Sequence, residues 1–200
     1  MPFRFFYQLT DVDCFPSSTL NALGHLFPRR AIPGAVVQRI WMYSMDGVAD
    51  GIDTGRFTSE DAARLVGSWL PTYRTRHFGV RTRYVAGSDV NMTPTGTLVQ
   101  ALHQGAVAVL DVMGSGGITH SVVALEADED WVYIWDPYHT RVNPRATPHI
   151  ERCDESGLGP NIRVRRTHLS RTTLRKFTLG PLPQRAALLI WRVPRRPGAE

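Results

Sequence analysis

THSVVALEADEDWVYIWDPY, Thr119 to Tyr138, decides how the chain is read. Two β-rich runs, Ser121 to Glu126 and Trp131 to Trp135, flank the polar stretch Ala127 to Asp130, which is the pattern of an antiparallel hairpin centred near Asp128. His120 and Asp136 mark its two open ends. Residues there lie within the separation of a cross-strand pair, so an imidazole and a carboxylate can meet. A carboxylate beside a histidine holds the ring in one tautomer and steadies its charged form.

Outward from the hairpin, the chain reads as helices first and strands later. Phe15 to Leu26 carries apolar residues at Leu20, Leu23 and Leu26, with Pro16 tolerable in a first turn, and places Cys14 at a helix N-terminus. A second helix is expected over Ala35 to Met45. A third starts at TSEDAARLVGSWL, where Thr58 or Ser59 caps, Glu60 and Asp61 suit the N-terminal dipole, and Pro71 helps to end it. GVRTRYV reads as a strand, TPTGTLVQALHQG as cap, short helix and stop, AVAVLDVM as a buried strand, and RAALLIWRV as one more core strand. The expected architecture is α+β, with N-terminal helices packed on a C-terminal antiparallel sheet. VNPRATPHIERCDESGLGPNIRV is rich in Pro, Gly and polar residues and reads as a loop-like insertion within one domain of residues 1–200, without repeats or linkers.

Two hundred residues, 42% of them hydrophobic, suffice for a single core without disulfides. The start MPFRFF runs into Tyr7, Gln8 and Asp11, so it lacks the apolar run of a signal peptide, and no segment reaches membrane-span length. A cytoplasmic location without membrane contact is the expectation. Charge is divided unevenly: residues 1–140 hold 10 Arg against 14 acids (−4), and residues 141–200 hold 12 Arg and Lys176 against 4 acids (+9). The basic segment 141–180 lacks interleaved aromatics except Phe177, so it reads as a solvated Arg-rich surface and nucleic-acid binding is not expected. An acidic protein partner suits it better.

Cys14 and Cys153 are the only cysteines, and without an export signal free thiols are expected. A thiol attacks amides or esters as thiolate, which a helix N-terminus and a neighbouring imidazolium both favour. Cys14 has the first by position and gains the second if the sheet brings His120 opposite the helix end. Gln8 completes the set, because its side-chain amide can donate to a developing oxyanion beside the backbone N–H of Cys14. The four residues Gln8, Cys14, His120 and Asp136 then take the roles of oxyanion donor, nucleophile, general base and orienting carboxylate.

QLTDVDC, HSVV and WDP resemble the motifs of the bacteriocin-processing leader peptidases, a branch of the papain-like cysteine peptidases. The match lies in Gln, four residues, Asp, Cys, then His and Asp-Pro, in that order over residues 8–137. The resemblance implies a papain-like fold, the four roles just given, and a peptide substrate. Phe15 and Pro16 follow the cysteine where that family usually carries a glycine or small residue. The membrane-spanning and ATPase parts of the exporter-linked relatives do not occur in these residues, so a stand-alone enzyme is expected.

Taken singly, each residue has a plainer reading: Cys14 as a small core residue, His120 as a strand histidine, Asp136 before Pro137 as a turn starter. Their joint order and spacing favour catalysis. A thiol-dependent peptidase or amide hydrolase is the leading expectation. An acyltransferase using the same residues on an acyl-carrier thioester, with an acidic carrier at the basic segment, is the alternative. A non-catalytic binding module on the same fold is the third. No cofactor or metal is implied: DGVADGIDTGRFTSED puts Ile52 and Thr54 at ligand positions of a calcium loop, MGSGG precedes a strand and not a helix, and the other histidines lack zinc spacing.

Overall fold

In the computed structural model, which describes residues 3–48, 56–138, 147–153 and 156–193, the helices do come first. They are α1 (Cys14–Leu26), α2 (Gly34–Ser44) and α3 (Glu60–Trp69), with a small ribbon of β1 (Gly47–Val48) and β2 (Arg56–Phe57) before α3. Then follow β3 (Val80–Ala86), α4 (Thr97–His103), β4 (Val107–Met113), β5 (Thr119–Ala127), β6 (Trp131–Trp135), β7 (Ile150–Arg152), β8 (Ile162–Arg165), α5 (Arg166–Leu169) and β9 (Ala186–Arg192). Ser59 caps α3, its hydroxyl accepting from the Ala62 N–H at 3.1 Å. Residues 49–55 of the DGVADGIDTGRFTSED stretch lie outside the described residues.

Strands β3 to β9 form one antiparallel sheet in the order β3-β9-β4-β5-β6-β8-β7. The central strands are buried on both faces, which is why AVAVLDVM reads as a continuous apolar run. Val107, Val109, Val123, Leu125, Leu188 and Ile190 pack with Leu20, Leu23, Val36, Ile40 and Val66 of α1–α3. Ala108, Leu110, Val112, Val122 and Leu189 face the other way, against Leu98, Val99 and Leu102 of α4 and against Leu169, Phe177 and Leu179. The α+β expectation holds, but helices packed on one face describe only α1–α3. The sheet also has a second cover, from α4 and residues 166–180. The residue pattern hides this, because period-2 alternation cannot say what lies against each face.

The polar stretch of the hairpin closes on Asp128. Its N–H donates to Trp131 O at 3.0 Å, and its carboxylate accepts from the N–H groups of Asp130 and Trp131 at 2.9 and 2.7 Å. Pairing begins with Ala127↔Val132 and Glu126↔Tyr133, then shifts by a bulge to Ala124↔Ile134 and Val123↔Trp135. Two strands of the sheet, β7 and β8, come from the stretch read above as a basic insertion; β8 pairs with β6 and β7 lies at the edge. Among the described residues no helix is long and apolar enough to cross a membrane.

Candidate active site

His120 and Asp136 meet at the open end of the hairpin, with His120 Nε2 2.7 Å from Asp136 Oδ1. The bulge explains how. Continuing the register of Val123↔Trp135 would set Tyr138 opposite His120, so Asp136 reaches the imidazole as a diagonal neighbour. Tyr138 takes the facing position, its ring edge-on to His120 with centroids 6.2 Å apart, and its N–H donates to the same Asp136 Oδ1 at 2.9 Å. His120 follows the turn that joins β4 to β5. Gly116 and Gly117 there have φ of 73° and 78°, a region glycine enters without steric cost, and Gly114 N–H closes the turn on Ile118 O at 2.7 Å.

Cys14 is the first residue of α1 and carries a free, half-buried thiol. It lies beside the imidazole, near enough to act on the ring's protonation. Burial disfavours the charged ring, but the hydrogen bonds and charges of Asp136 and Cys14 outweigh it and push His120 up to about 10. Because Nε2 is taken by Asp136, Nδ1 is the nitrogen left for Cys14. The structure thus brings three of the four residues singled out in the sequence onto one ring.

Gln8 begins the largely exposed loop that leads to Asp13 and Cys14. The Asp13 carboxylate, next to Cys14, accepts from Leu9 N–H at 3.0 Å and from Thr10 N–H and Oγ1 at 2.9 Å each. Thr10 O in turn receives the Gln8 Nε2 donor at 2.7 Å. Gln8 N–H donates to Pro137 O at 2.8 Å, so the residue is tied to both the cysteine loop and the aspartate loop. Its Oε1 is buried without a hydrogen-bond partner. With the Asp13 carboxylate committed to Leu9 and Thr10, no side chain caps α1.

Residues the motifs did not single out hold these loops. Trp135, fully buried, stacks on Phe5 at 4.9 Å and packs on Tyr7 at 5.2 Å, laying the N-terminal segment across the end of β6. Asn21 of α1 clamps Phe6, accepting its N–H at 3.0 Å and donating to its carbonyl at 2.9 Å. Asn161 clamps Asp136 in the same two-point way, at 2.8 Å for each bond. Asn21 has one legible signal, a polar residue between Leu20 and Leu23 on the face of α1 that must be buried. Asn161 has none, because it sits in the Pro- and Gly-rich run.

Much of the basic segment serves the fold. Arg166, buried, donates to Met92 O at 3.2 and 2.6 Å, to Asp128 O at 3.0 Å and to Glu129 O at 3.1 Å. Arg163 and Arg165 lie over the Trp131 ring at 4.5 and 4.3 Å and pair with Glu151 and Asp130. Arg171 and Arg175 are exposed. Among the described residues no group of three or more His, Cys, Asp or Glu side chains could hold a metal ion.

No family model and no curated protein matches the chain. A crystal structure described as a "putative C39-like peptidase" from Bacillus anthracis is similar over 96% of this chain and 95% of that one, at 15% identity and a TM-score of 0.49.

Proposed function

We propose that the protein is a papain-like cysteine peptidase or amide hydrolase, with Cys14 as nucleophile, His120 as general acid and base, Asp136 as the carboxylate that orients it, and Gln8 as oxyanion donor. The observation that carries this reading is the convergence of Cys14 and Asp136 on one imidazole. An imidazolium held between a thiolate and a carboxylate is the resting pair a thiol nucleophile needs.

The chemistry follows from the geometry. The Cys14 thiolate attacks the carbonyl carbon of the substrate amide, and the carbonyl π electrons move to oxygen. The uncapped first turn of α1 offers the Cys14 N–H to that oxyanion. Gln8 offers the second hydrogen of an amide group whose first is spent on Thr10 O, so it is aimed in advance of the reaction. His120 gives its Nδ1 proton to the amine nitrogen as the C–N bond breaks, leaving a thioester on Cys14. Water then gives a proton back to His120 and adds to the thioester, the C–S bond breaks, and thiolate and imidazolium are restored.

Alkylation tests the reading directly. Iodoacetamide across a pH series should label Cys14 at pH 6 about tenfold or more faster than an ordinary thiol, whose pKa is about 8.5. Cys153 is the internal reference, since burial pushes its thiol up. Labelling of Cys14 no faster than Cys153 at pH 6 sinks the proposal. The sign at the alkaline end is fixed by His120: the imidazolium persists through neutral pH and is lost as pH rises through about 10. His120→Ala should therefore remove the acid limb and leave the alkaline rate.

Gln8→Ala is expected to lower turnover roughly a hundredfold, the usual loss for one oxyanion donor, with the alkylation profile of Cys14 unchanged. Full activity in that variant removes Gln8 from the site.

A further inference from the structure

Strand β6 ends at Trp135, one residue before the carboxylate that His120 needs. Beyond that point Asp136 has no ladder partner of its own: the last pairs are Val123↔Trp135 on one side and Ile134↔Ile162 on the other. A buried peptide group without partners is costly and free to turn. Asn161 meets both needs. Its Oδ1 accepts the Asp136 N–H and its Nδ2 donates to the Asp136 carbonyl, each at 2.8 Å. Its own N–H donates to Ile134 O at 3.0 Å, which fixes the clamp to the same strand it extends. Asp136 and Asn161 are 7% and 9% exposed, so water competes poorly for these bonds.

We propose that Asn161 is a positioning residue: by locking the peptide group of Asp136 from both sides, it sets the direction in which the carboxylate meets His120. The proposal rests on the reading of Cys14, His120 and Asp136 as a catalytic set. With the backbone fixed, only the two side-chain torsions of Asp136 stay open, and the N–H of Tyr138 and Nε2 of His120 hold them by sharing Oδ1. The amide has only one workable orientation, because turning it over would oppose two donors and two acceptors. Among side chains of this size an amide alone offers donor and acceptor in one plane; a carboxylate offers acceptors only, and leucine neither. The clamp also joins the site to the outer strands. Asn161 stands at the start of β8, and Asn161 O receives the Cys153 N–H at 2.9 Å just after β7.

The test is the pH profile of Cys14 alkylation by iodoacetamide in a Cys153→Ser parent, whose backbone bond to Asn161 is kept. The charged groups acting on His120 are Asp136 and Cys14, with Asp111 on β4 opposite the neighbouring Ser121; all three are unchanged in each variant. Asn161→Leu and the isosteric Asn161→Asp should each lose about tenfold in rate at pH 6, where reactivity depends on the oriented imidazolium, and stay within about twofold of the parent at pH 10, where any thiol is ionised. Circular dichroism and thermal melts establish folding. A folded variant that keeps the parent's ratio of rates overturns the proposal. So does loss of the folded state in both variants, which makes Asn161 a folding residue only. A parent with no enhanced rate at pH 6 defeats the catalytic reading itself, an outcome distinct from either.

Discussion

Cys14→Ala is expected to abolish turnover, by about 10⁴-fold or more on any peptide, ester or thioester the wild type cleaves, and to leave the fold intact. The size of the loss follows from the mechanism: without sulfur there is no covalent intermediate, and neither Gln8 nor the N–H of residue 14 can replace it. The small effect on stability follows from the location. The thiol is half-buried at the first position of α1, so alanine removes one sulfur at a cleft and opens no large cavity, and the thermal midpoint should move by a few degrees at most. A fall of 10 °C or more would instead make Cys14 a packing residue. The substitution has a second signature in pH. His120 has its folded pKa raised above the ordinary 6.5 to about 10, partly by Cys14. Its contribution to stability is therefore complete below about 6.5 and is lost as pH rises through the folded value. With Cys14 gone one of its two partners is missing, so that loss should begin at lower pH in the alanine variant than in the wild type. Thermal melts from pH 6 to pH 10.5 measure the difference.

How much of this is legible in the sequence differs element by element, for physical reasons. The hairpin is legible because Asp128 advertises the turn and the flanking runs are β-branched or aromatic. The consequence for His120 and Asp136 is legible only coarsely. The hairpin pairs about a point beyond Asp128, with Ala127 against Val132, so His120 and Asp136 are not directly opposed; the bulge between Ala124 and Glu126 then moves the pairing by one residue and brings Asp136 to the diagonal position, and nothing in ALEAD announces it. Cys14 at a helix N-terminus is legible because Phe15–Leu26 has helical spacing and Pro16 fits only near a helix start. The anchoring of Gln8 is not, since it depends on a chain of bonds from Asp13 to Thr10 to Gln8. Long-range clamps are the least visible: Asn21 to Phe6 and Asn161 to Asp136 span 15 and 25 residues, and a side-chain amide that holds a distant peptide leaves no periodic trace. The segment after Asp136 misleads for a related reason. Its strands are short, and its Arg, Pro and Gly content reads as surface although β8 and α5 pack into the sheet.

That last point decides how the basic segment must be tested. Arg166→Glu is expected to cost about 3–5 kcal/mol, enough to unfold much of the protein, because breaking a buried, hydrogen-bonded charge leaves its partners unsatisfied. Met92 O, Asp128 O and Glu129 O all lose their guanidinium donor, and the new carboxylate faces oxygen atoms. Urea denaturation measures the loss, and a midpoint within error of wild type would contradict the burial of Arg166. A charge reversal that includes this residue would therefore abolish every activity and every association alike, whatever the substrate. Arg171 and Arg175 behave differently. Both are exposed, so the double reversal to glutamate should stay within about 0.5 kcal/mol of the parent. That pair can separate the two enzyme readings. If an acidic acyl carrier docks on this surface, the double variant loses carrier binding in a salt-dependent way and keeps turnover of a small thioester. If the substrate is a peptide held by the cleft alone, peptide cleavage is unchanged. The peptide reading is favoured, because Arg163, Arg165 and Arg166 are already engaged with Trp131, Glu151, Asp130 and backbone carbonyls, which leaves fewer cations to recognise a carrier than the bare count of arginines suggests.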